Sequence, residues 1–283
     1  MGFVLTKPPA GHYRRSMSLT MGNGPFAKPL AGTLNFDLAA AAPASVIYLY
    51  GLDRRIRGEF AGEIIVDTVR ATMVHETRLL PQWYLPLADV RPGVLIESDS
   101  RTHCPYKGDA RYWHLSLNGR TVHDAAWSYP EPLPGSPDLR GLVAFYQERM
   151  DAWFEEDERL VGHPRDPFHR VDTRRSGRRV IVRIDGTVVG DSRNAVALFE
   201  TGLPVRWYLP VDDVAVELLT PSDATSRCPY KGASVYYHLK GTPEGIDNIE
   251  DIAWSIPEPL PEAGAVAGHL SFDGHSVSVT VQD

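Results

Sequence analysis

Cysteine is nearly absent from this chain: Cys104 and Cys228 are the only two in 283 residues. A disulfide scaffold is a short chain dense in cysteine, so that class is excluded, and two free thiols in a reducing compartment are expected. Long apolar runs are also missing, so no stretch has the composition of a membrane-spanning helix, which needs about 18 or more apolar residues. Basic residues do not dominate. Twenty-nine Lys and Arg against 36 Asp and Glu leave a formal net charge of −7, the wrong sign for a nucleic-acid-binding face. Neither a GxGxxG nor a Walker pattern occurs. The opening Met1-Gly-Phe-Val-Leu-Thr6 lacks the apolar stretch of a secretory signal, and its match to the loose myristoylation pattern is too short to carry weight. A cytoplasmic protein with neither a membrane nor a nucleic-acid partner is expected.

What the chain does contain is a repeat. Shifted by 124 positions, Glu76-Thr77 falls on Glu200-Thr201, Trp83-Tyr-Leu-Pro86 on Trp207-Tyr-Leu-Pro210, and Asp89-Val90 on Asp213-Val214. Cys104-Pro-Tyr-Lys-Gly108 meets Cys228-Pro-Tyr-Lys-Gly232, and His114-Leu115 meets His238-Leu239. After a small length difference, Ala126-Trp-Ser128 pairs with Ala253-Trp-Ser255, and Pro130-Glu-Pro-Leu-Pro134 with Pro257-Glu-Pro-Leu-Pro261. The length change falls at Asn118-Gly119 and at Gly241-Thr-Pro-Glu-Gly245, residue types that supply the positive φ of a hairpin turn.

The composition, 43% hydrophobic and 23% charged, is that of an ordinary globular chain with room for two domains of roughly 100 to 150 residues. Ile64–Val66, Val180–Ile184 and Val277–Val281 are β-branched and read as strands. Tyr112–Leu115 and Tyr236–Leu239 read the same way. Arg70–Glu76 and Arg193–Glu200 have apolar spacing that allows one short helix in each copy. Leu139–Leu160 looks helical, but its counterpart Val266–Val281 is strand-like, so a β-hairpin of Val143–Tyr146 and Asp151–Glu155 is expected. The fold class is therefore mainly β, two tandem copies of a small β-sandwich or β-tent-like domain. The expected layout is an N-terminal arm (1–40), a first repeat domain (41–161), a Pro-containing extended linker (162–174) and a second repeat domain (175–283).

The repeated motifs, Glu200-Thr-Gly-Leu-Pro204, Trp-Tyr-Leu-Pro, Cys-Pro-Tyr-Lys-Gly and Ala-Trp-Ser-x-Pro-Glu-Pro, resemble the bacterial domain of unknown function 427. Met150–Glu158 and His163–Asp172 are similar to its tandem actinobacterial version, and the likeness runs from about residue 45 onward. It implies a compact β domain of β-tent type in a cytoplasmic bacterial protein, and little chemistry. A nucleotidyltransferase-like label attached to the family is not supported by these residues. That chemistry needs a Gly-Ser turn followed by spaced carboxylates for magnesium, and Glu97-Ser-Asp99 and Asp212-Asp213 have no such turn before them.

The candidate site is the Cys-Pro-Tyr-Lys-Gly loop of each copy. Lys107 and Lys231 follow Cys104 and Cys228 by three residues, and a nearby cation is what converts a thiol to a nucleophile. Glu76 and Glu200 are candidates for a general base or a lysine partner. Tyr84, Tyr208, Tyr106 and Tyr230 are candidate ligand contacts, as are His114 and His238, whose near-neutral pKa suits a proton shuttle. Trp127, Trp254, Trp83 and Trp207 read as core anchors. One Cys and one His per copy are too few for structural zinc, so no metal and no cofactor are expected. The reading is a small-molecule pocket in each repeat, for an anionic or carbonyl-bearing metabolite handled by an enzyme or by a binding module. A structural protein in which the motif only builds the fold is the remaining alternative, and homo-oligomerisation is left open.

Overall fold

A computed structural model describes residues 19–20, 24–26, 35, 43–241 and 248–283. Most of the expected N-terminal arm, the Met1–Thr6 opening and the core of the Gly241–Gly245 turn lie outside the described residues. The chain divides into two compact units, residues 1–159 and 160–283. Among the described residues no helix is long and apolar enough to cross a membrane.

The first unit runs β1 (Ile47–Gly51), β2 (Ile56–Phe60), β3 (Glu63–Thr68), β4 (Thr72–Glu76), β5 (Gln82–Pro86) and β6 (Leu95–Cys104). It continues with β7 (Gly108–Leu117), β8 (Arg120–Ser128), β9 (Leu142–Phe145), β10 (Ala152–Glu155) and β11 (Glu158–Arg159). The strands form a seven-stranded sheet, β1-β4-β5-β9-β8-β7-β6, and a four-stranded sheet, β11-β10-β2-β3. The second unit repeats the plan with β12 (Val171–Arg175), β13 (Arg179–Ile184), β14 (Thr187–Ser192), β15 (Val196–Glu200) and β16 (Arg206–Pro210). Then come β17 (Leu219–Cys228), β18 (Gly232–Leu239), β19 (Ile249–Ser255), β20 (His269–Phe272) and β21 (Val277–Gln282). Its sheets are β12-β15-β16-β20-β19-β18-β17 and β14-β13-β21. The protein is two tandem β domains.

Side chains alternate across a strand, so each seven-stranded sheet offers two faces. In β16, Leu209 joins a core with Val180, Val182 and Ile184 of the small sheet. Its neighbour Tyr208 joins a separate core on the other face with Val171, Tyr230 and Ile256. The first unit does the same. Trp83 and Phe145 of the large sheet meet Trp153 of the small one, each at 5.7 Å between ring centroids, while Tyr84 faces the opposite way with Ala110 and Tyr129.

Three expectations are corrected. Arg70–Glu76 and Arg193–Glu200 are not helical: Thr72–Glu76 and Val196–Glu200 are inner strands of the large sheets. A strand covered on both faces carries a continuous apolar run, here Ala195 to Leu198, which has no period to distinguish it from a helix. Val143–Tyr146 and Asp151–Glu155 do supply strands, but these do not pair as a hairpin. β9 lies between β5 and β8 in the large sheet, and β10 pairs with β2 and β11 in the small one, because a 3-10 turn at Gln147–Arg149 carries the chain between layers. Finally, the stretch 162–174 is built into the second unit: Val171–Arg175 pairs with β15 as β1 pairs with β4. At Asn118-Gly119 the expected tight turn is present, with φ of 51° and 78°.

Candidate functional site

The Cys-Pro-Tyr-Lys-Gly loop is the tip of the β6–β7 hairpin, with Cys104 opposite Gly108, and the β17–β18 tip is the same. Gly108 and Gly232 have φ of 101° and 109°, and a Cβ there would lie 3.1 Å from the Glu131 carbonyl oxygen or 2.9 Å from that of Glu258. Only glycine meets both demands. The crowding carbonyls belong to the Pro-Glu-Pro-Leu-Pro segments. The Leu133 N–H donates to the Lys107 carbonyl at 3.1 Å, and the Leu260 N–H to the Lys231 carbonyl at 3.0 Å. Two motifs far apart in sequence thus clamp one another and fix where the lysine starts.

From that tip each lysine runs inward to a glutamate at the end of an inner strand. Lys107 Nζ donates to Glu76 Oε1, and both side chains are largely buried. Lys231 Nζ donates to Glu200 Oε2 at 2.5 Å. The Lys107 ammonium also lies 4.8 Å from the centroid of the Tyr129 ring, within cation–π range. Beside the pair, the Trp127 indole N–H donates to the Tyr84 hydroxyl at 3.2 Å, as Trp254 does to Tyr208 at 3.1 Å. Burial raises Tyr84 and Tyr129 well above the ordinary phenol range, so both stay protonated hydrogen-bonding groups rather than bases. A cavity of ≈ 350 Å³ opens over this floor; Glu76, Lys107 and Tyr84 line it with Tyr112, Trp127, Tyr129 and Tyr146, and Leu79, Leu80 and Gln82 complete it.

The second unit keeps the pair and changes its surroundings. Ile256 stands for Tyr129, Asp273 for Tyr146 and Arg206 for Gln82. The Arg206 guanidinium lies 5.2 Å over the Trp254 ring and bonds Asp273 at 3.1 Å. His169, with 1% of its side chain exposed, places Nε2 3.1 Å from Glu200 Oε1 and packs its ring 4.1 Å from that of Tyr230. Burial pulls the Glu200 carboxyl upward, but the His169 contact and the Lys231 charge outweigh it and hold the group below its ordinary value. Burial also pulls Lys231 down, and the Glu200 charge reverses this and leaves it raised.

Of the residues singled out in the sequence, Glu76, Lys107 and Tyr84 come together at one cavity, and Glu200, Lys231 and Tyr208 pack in the matching place. The cysteines lie beside the pair, close enough for Cys228 and Lys231 to feel one another's charge. Cys104 packs against the apolar cluster around Tyr84 and does not line the cavity, and burial pushes the Cys228 thiol up, away from thiolate. Tyr106 is 45% exposed and off the cavity, whereas Tyr230 is 5% exposed beneath His169. His114 and His238 instead brace a bulge: their Nδ1 atoms accept the backbone N–H of Asp124 at 3.0 Å and of Asp251 at 3.1 Å, both at positive φ. Among the described residues no group of three His, Cys, Asp or Glu side chains could hold a metal ion.

Trp127, read in the sequence as a core anchor, is a partly buried wall of the cavity. Tyr129, Tyr146 and His169 are site residues outside the repeated set, with Ile256, Asp273 and Ser45 at their counterparts, so the repeat does not mark them. The available signal was the set of differences between the copies.

A family model described as "Domain of unknown function (DUF427)" matches residues 49–156 and again 172–283. No curated protein matches the chain. With both units matched in tandem over most of the sequence, the chain belongs to the DUF427 family.

Proposed function

We propose that the first unit binds a small, planar, carbonyl-bearing molecule in the cavity above Lys107 and Glu76. One observation carries this reading: a donor and an acceptor, already paired and largely buried, form the floor of a cavity walled by aromatic rings. Ligand sites are typically apolar concavities with a few convergent polar groups. Lys107 donates to a carbonyl, and the rings of Trp127, Tyr129 and Tyr146 offer faces to a flat body. Glu76 already compensates the lysine charge, so a neutral carbonyl is favoured over an anion, which would meet that carboxylate. Binding is the primary reading. Proton transfer between ligand and the Lys107–Glu76 pair is the enzymatic alternative, and a probe recovered chemically changed after long incubation would favour it.

The test uses benzamide and benzoate as matched neutral and anionic probes, followed by the Trp127 indole N–H resonance, assigned with Trp127→Phe. Benzamide is expected to shift that resonance at lower concentration than benzoate. Loss of one charge-assisted hydrogen bond in Lys107→Met should weaken benzamide by about 10- to 100-fold. A resonance indifferent to both probes, or unchanged affinity in Lys107→Met, would overturn the proposal.

A further inference from the structure

The two units treat the same lysine–glutamate pair differently, and the difference bears on ligand chemistry. In the second unit, the carboxylate oxygen of Glu200 not held by Lys231 is engaged by an imidazole from the chain itself. His169 arrives on the segment before β12. That segment wraps Tyr230: the Asp166 N–H donates to the tyrosine hydroxyl at 2.6 Å, and Arg165 stands 5.6 Å from the ring centroid and pairs with Glu262. The matching place in the first unit is fixed by register. Val171 faces Glu200 as Ile47 faces Glu76, and the Arg170 and Val46 N–H groups donate to Thr201 and Thr77 Oγ1, each at 2.8 Å. Two residues before Val171 is His169; two before Ile47 is Ser45. A serine side chain has no ring to lay beside the pair, and its hydroxyl stops one bond beyond Cβ, well short of the reach of an imidazole Nε2. Among the described residues it is Lys107 that bonds the Glu76 carboxylate.

The other differences point the same way. In the second unit a planar guanidinium, Arg206, lies over Trp254. In the first, Gln82 stands at that position and lines the cavity with Trp127, and Tyr129 and Tyr146 add ring faces that the second unit lacks. One unit sets planar nitrogen-bearing groups of its own at the pair and over its tryptophan, and in the other the described residues around the pair are Gln82, two leucines and aromatic rings. His169 reaches the carboxylate from the side of Tyr230, whose counterpart Tyr106 does not line the first cavity, so what the two sites share is the glutamate acceptor and not the position of the ring.

We infer that the lysine–glutamate pair is a receptor for a planar N–H donor, supplied internally by His169 in the second unit and taken from solution, as a small nitrogen heterocycle, by the first. This rests on the reading of the first cavity as a ligand site and narrows it. The ligand donates an N–H to Glu76, accepts from Lys107 through a carbonyl or ring nitrogen, and lays its ring against the aromatic walls. Neutral imidazole presents one donor and one acceptor in one ring and is the minimal probe.

The experiment has two arms, both run on the full chain at a pH where imidazole is neutral. In the first, His169→Gly opens the second site, and the melting temperature is read with imidazole or with 1-methylimidazole, which has the ring but no N–H. Imidazole is expected to recover at least half of the lost melting temperature, because a ligand that binds only the folded state stabilises it, and 1-methylimidazole to recover almost none. Equal recovery with both, or none with imidazole beyond its effect on the unsubstituted protein, would overturn the inference. In the second arm, imidazole is titrated against the Trp127 resonance. A shift is expected that Glu76→Gln weakens and Ser45→His, which grafts the internal imidazole into the first unit, abolishes. This arm stands even if His169→Gly does not fold. If benzamide reaches Trp127 and imidazole does not, the inference fails and the binding proposal stands. If His169→Gly is rescued while no probe reaches Trp127, the binding proposal falls and takes the first-unit half of the inference with it.

Discussion

At the scale of the residue, the lysine–glutamate pair and the glycine behind it carry the most weight. Removing one member of a buried ion pair leaves the other charge uncompensated, at a cost of about 3–5 kcal/mol. Lys107→Met should therefore destabilise the first unit by that order in urea unfolding, and Lys107→Met with Glu76→Leu should return much of the loss. If the double variant is no more stable than the single, the glutamate is held by something other than the lysine. The glycines make a second prediction. Gly232→Ala meets both a positive φ and the Glu258 carbonyl, so a loss of at least about 1–2 kcal/mol is expected from the backbone conformation alone. Arg78 runs the other way: its φ of 69° equals that of Gly202 at the matching turn. Arg78→Gly should raise stability by about 1 kcal/mol, the relief of a left-handed non-glycine residue. Cys-Pro-Tyr-Lys-Gly was legible as a site because it recurs, and the need for its glycine became visible only with the Pro-Glu-Pro-Leu-Pro carbonyl beside it.

At the scale of the element, strands were legible where β-branched residues alternate, as in Arg179–Ile184, and illegible where both faces are buried, as in Val196–Glu200. The pairing of β9 with β5 and β8, rather than with β10, lies beyond any local pattern: adjacent strands joined by a short turn usually form a hairpin, and here the turn crosses between layers. Bulges belong to this scale too. His238 accepts the Asp251 N–H where β18 and β19 slip register, as His114 does for Asp124 between β7 and β8. His114→Ala should cost about 1 kcal/mol, the net worth of a hydrogen bond, and leave benzamide binding at Trp127 unchanged. A loss of binding would return the histidine to the site.

At the scale of the whole molecule, each unit has its own core, so residues 160–283 alone are expected to fold with a dispersed amide spectrum. A piece beginning at 176 lacks β12 and His169, exposes the edge of β15, and should not. The pH response of the second unit follows from its buried groups. Glu200 titrates below its ordinary value, so its contribution is complete above that value, 4.5, and is lost as pH falls through the depressed folded one. Cys228 and Lys231 titrate above their ordinary values of 9.0 and 10.5, so their contributions are complete below those values and are lost as pH rises through the raised folded ones. Urea midpoints across pH should fall at both ends, and Glu200→Gln should flatten the acid limb of that profile. An unchanged acid limb would mean that other carboxylates govern it.

What the sequence determined by itself was whatever recurs: two copies, their mainly β character, and the glutamate, tyrosine and lysine that meet at the site. Repetition makes such features visible because the same physical constraint had to be met twice. What only the tertiary structure decided was whatever differs between the copies or joins distant segments. It set Tyr129 and Tyr146 around one pair and His169 beside the other, crossed the chain between layers after Phe145, and laid Cys104 against the cluster around Tyr84 instead of on the cavity. Those outcomes depend on which side chains reach a common point in space, and neither spacing nor propensity along the chain encodes that distance.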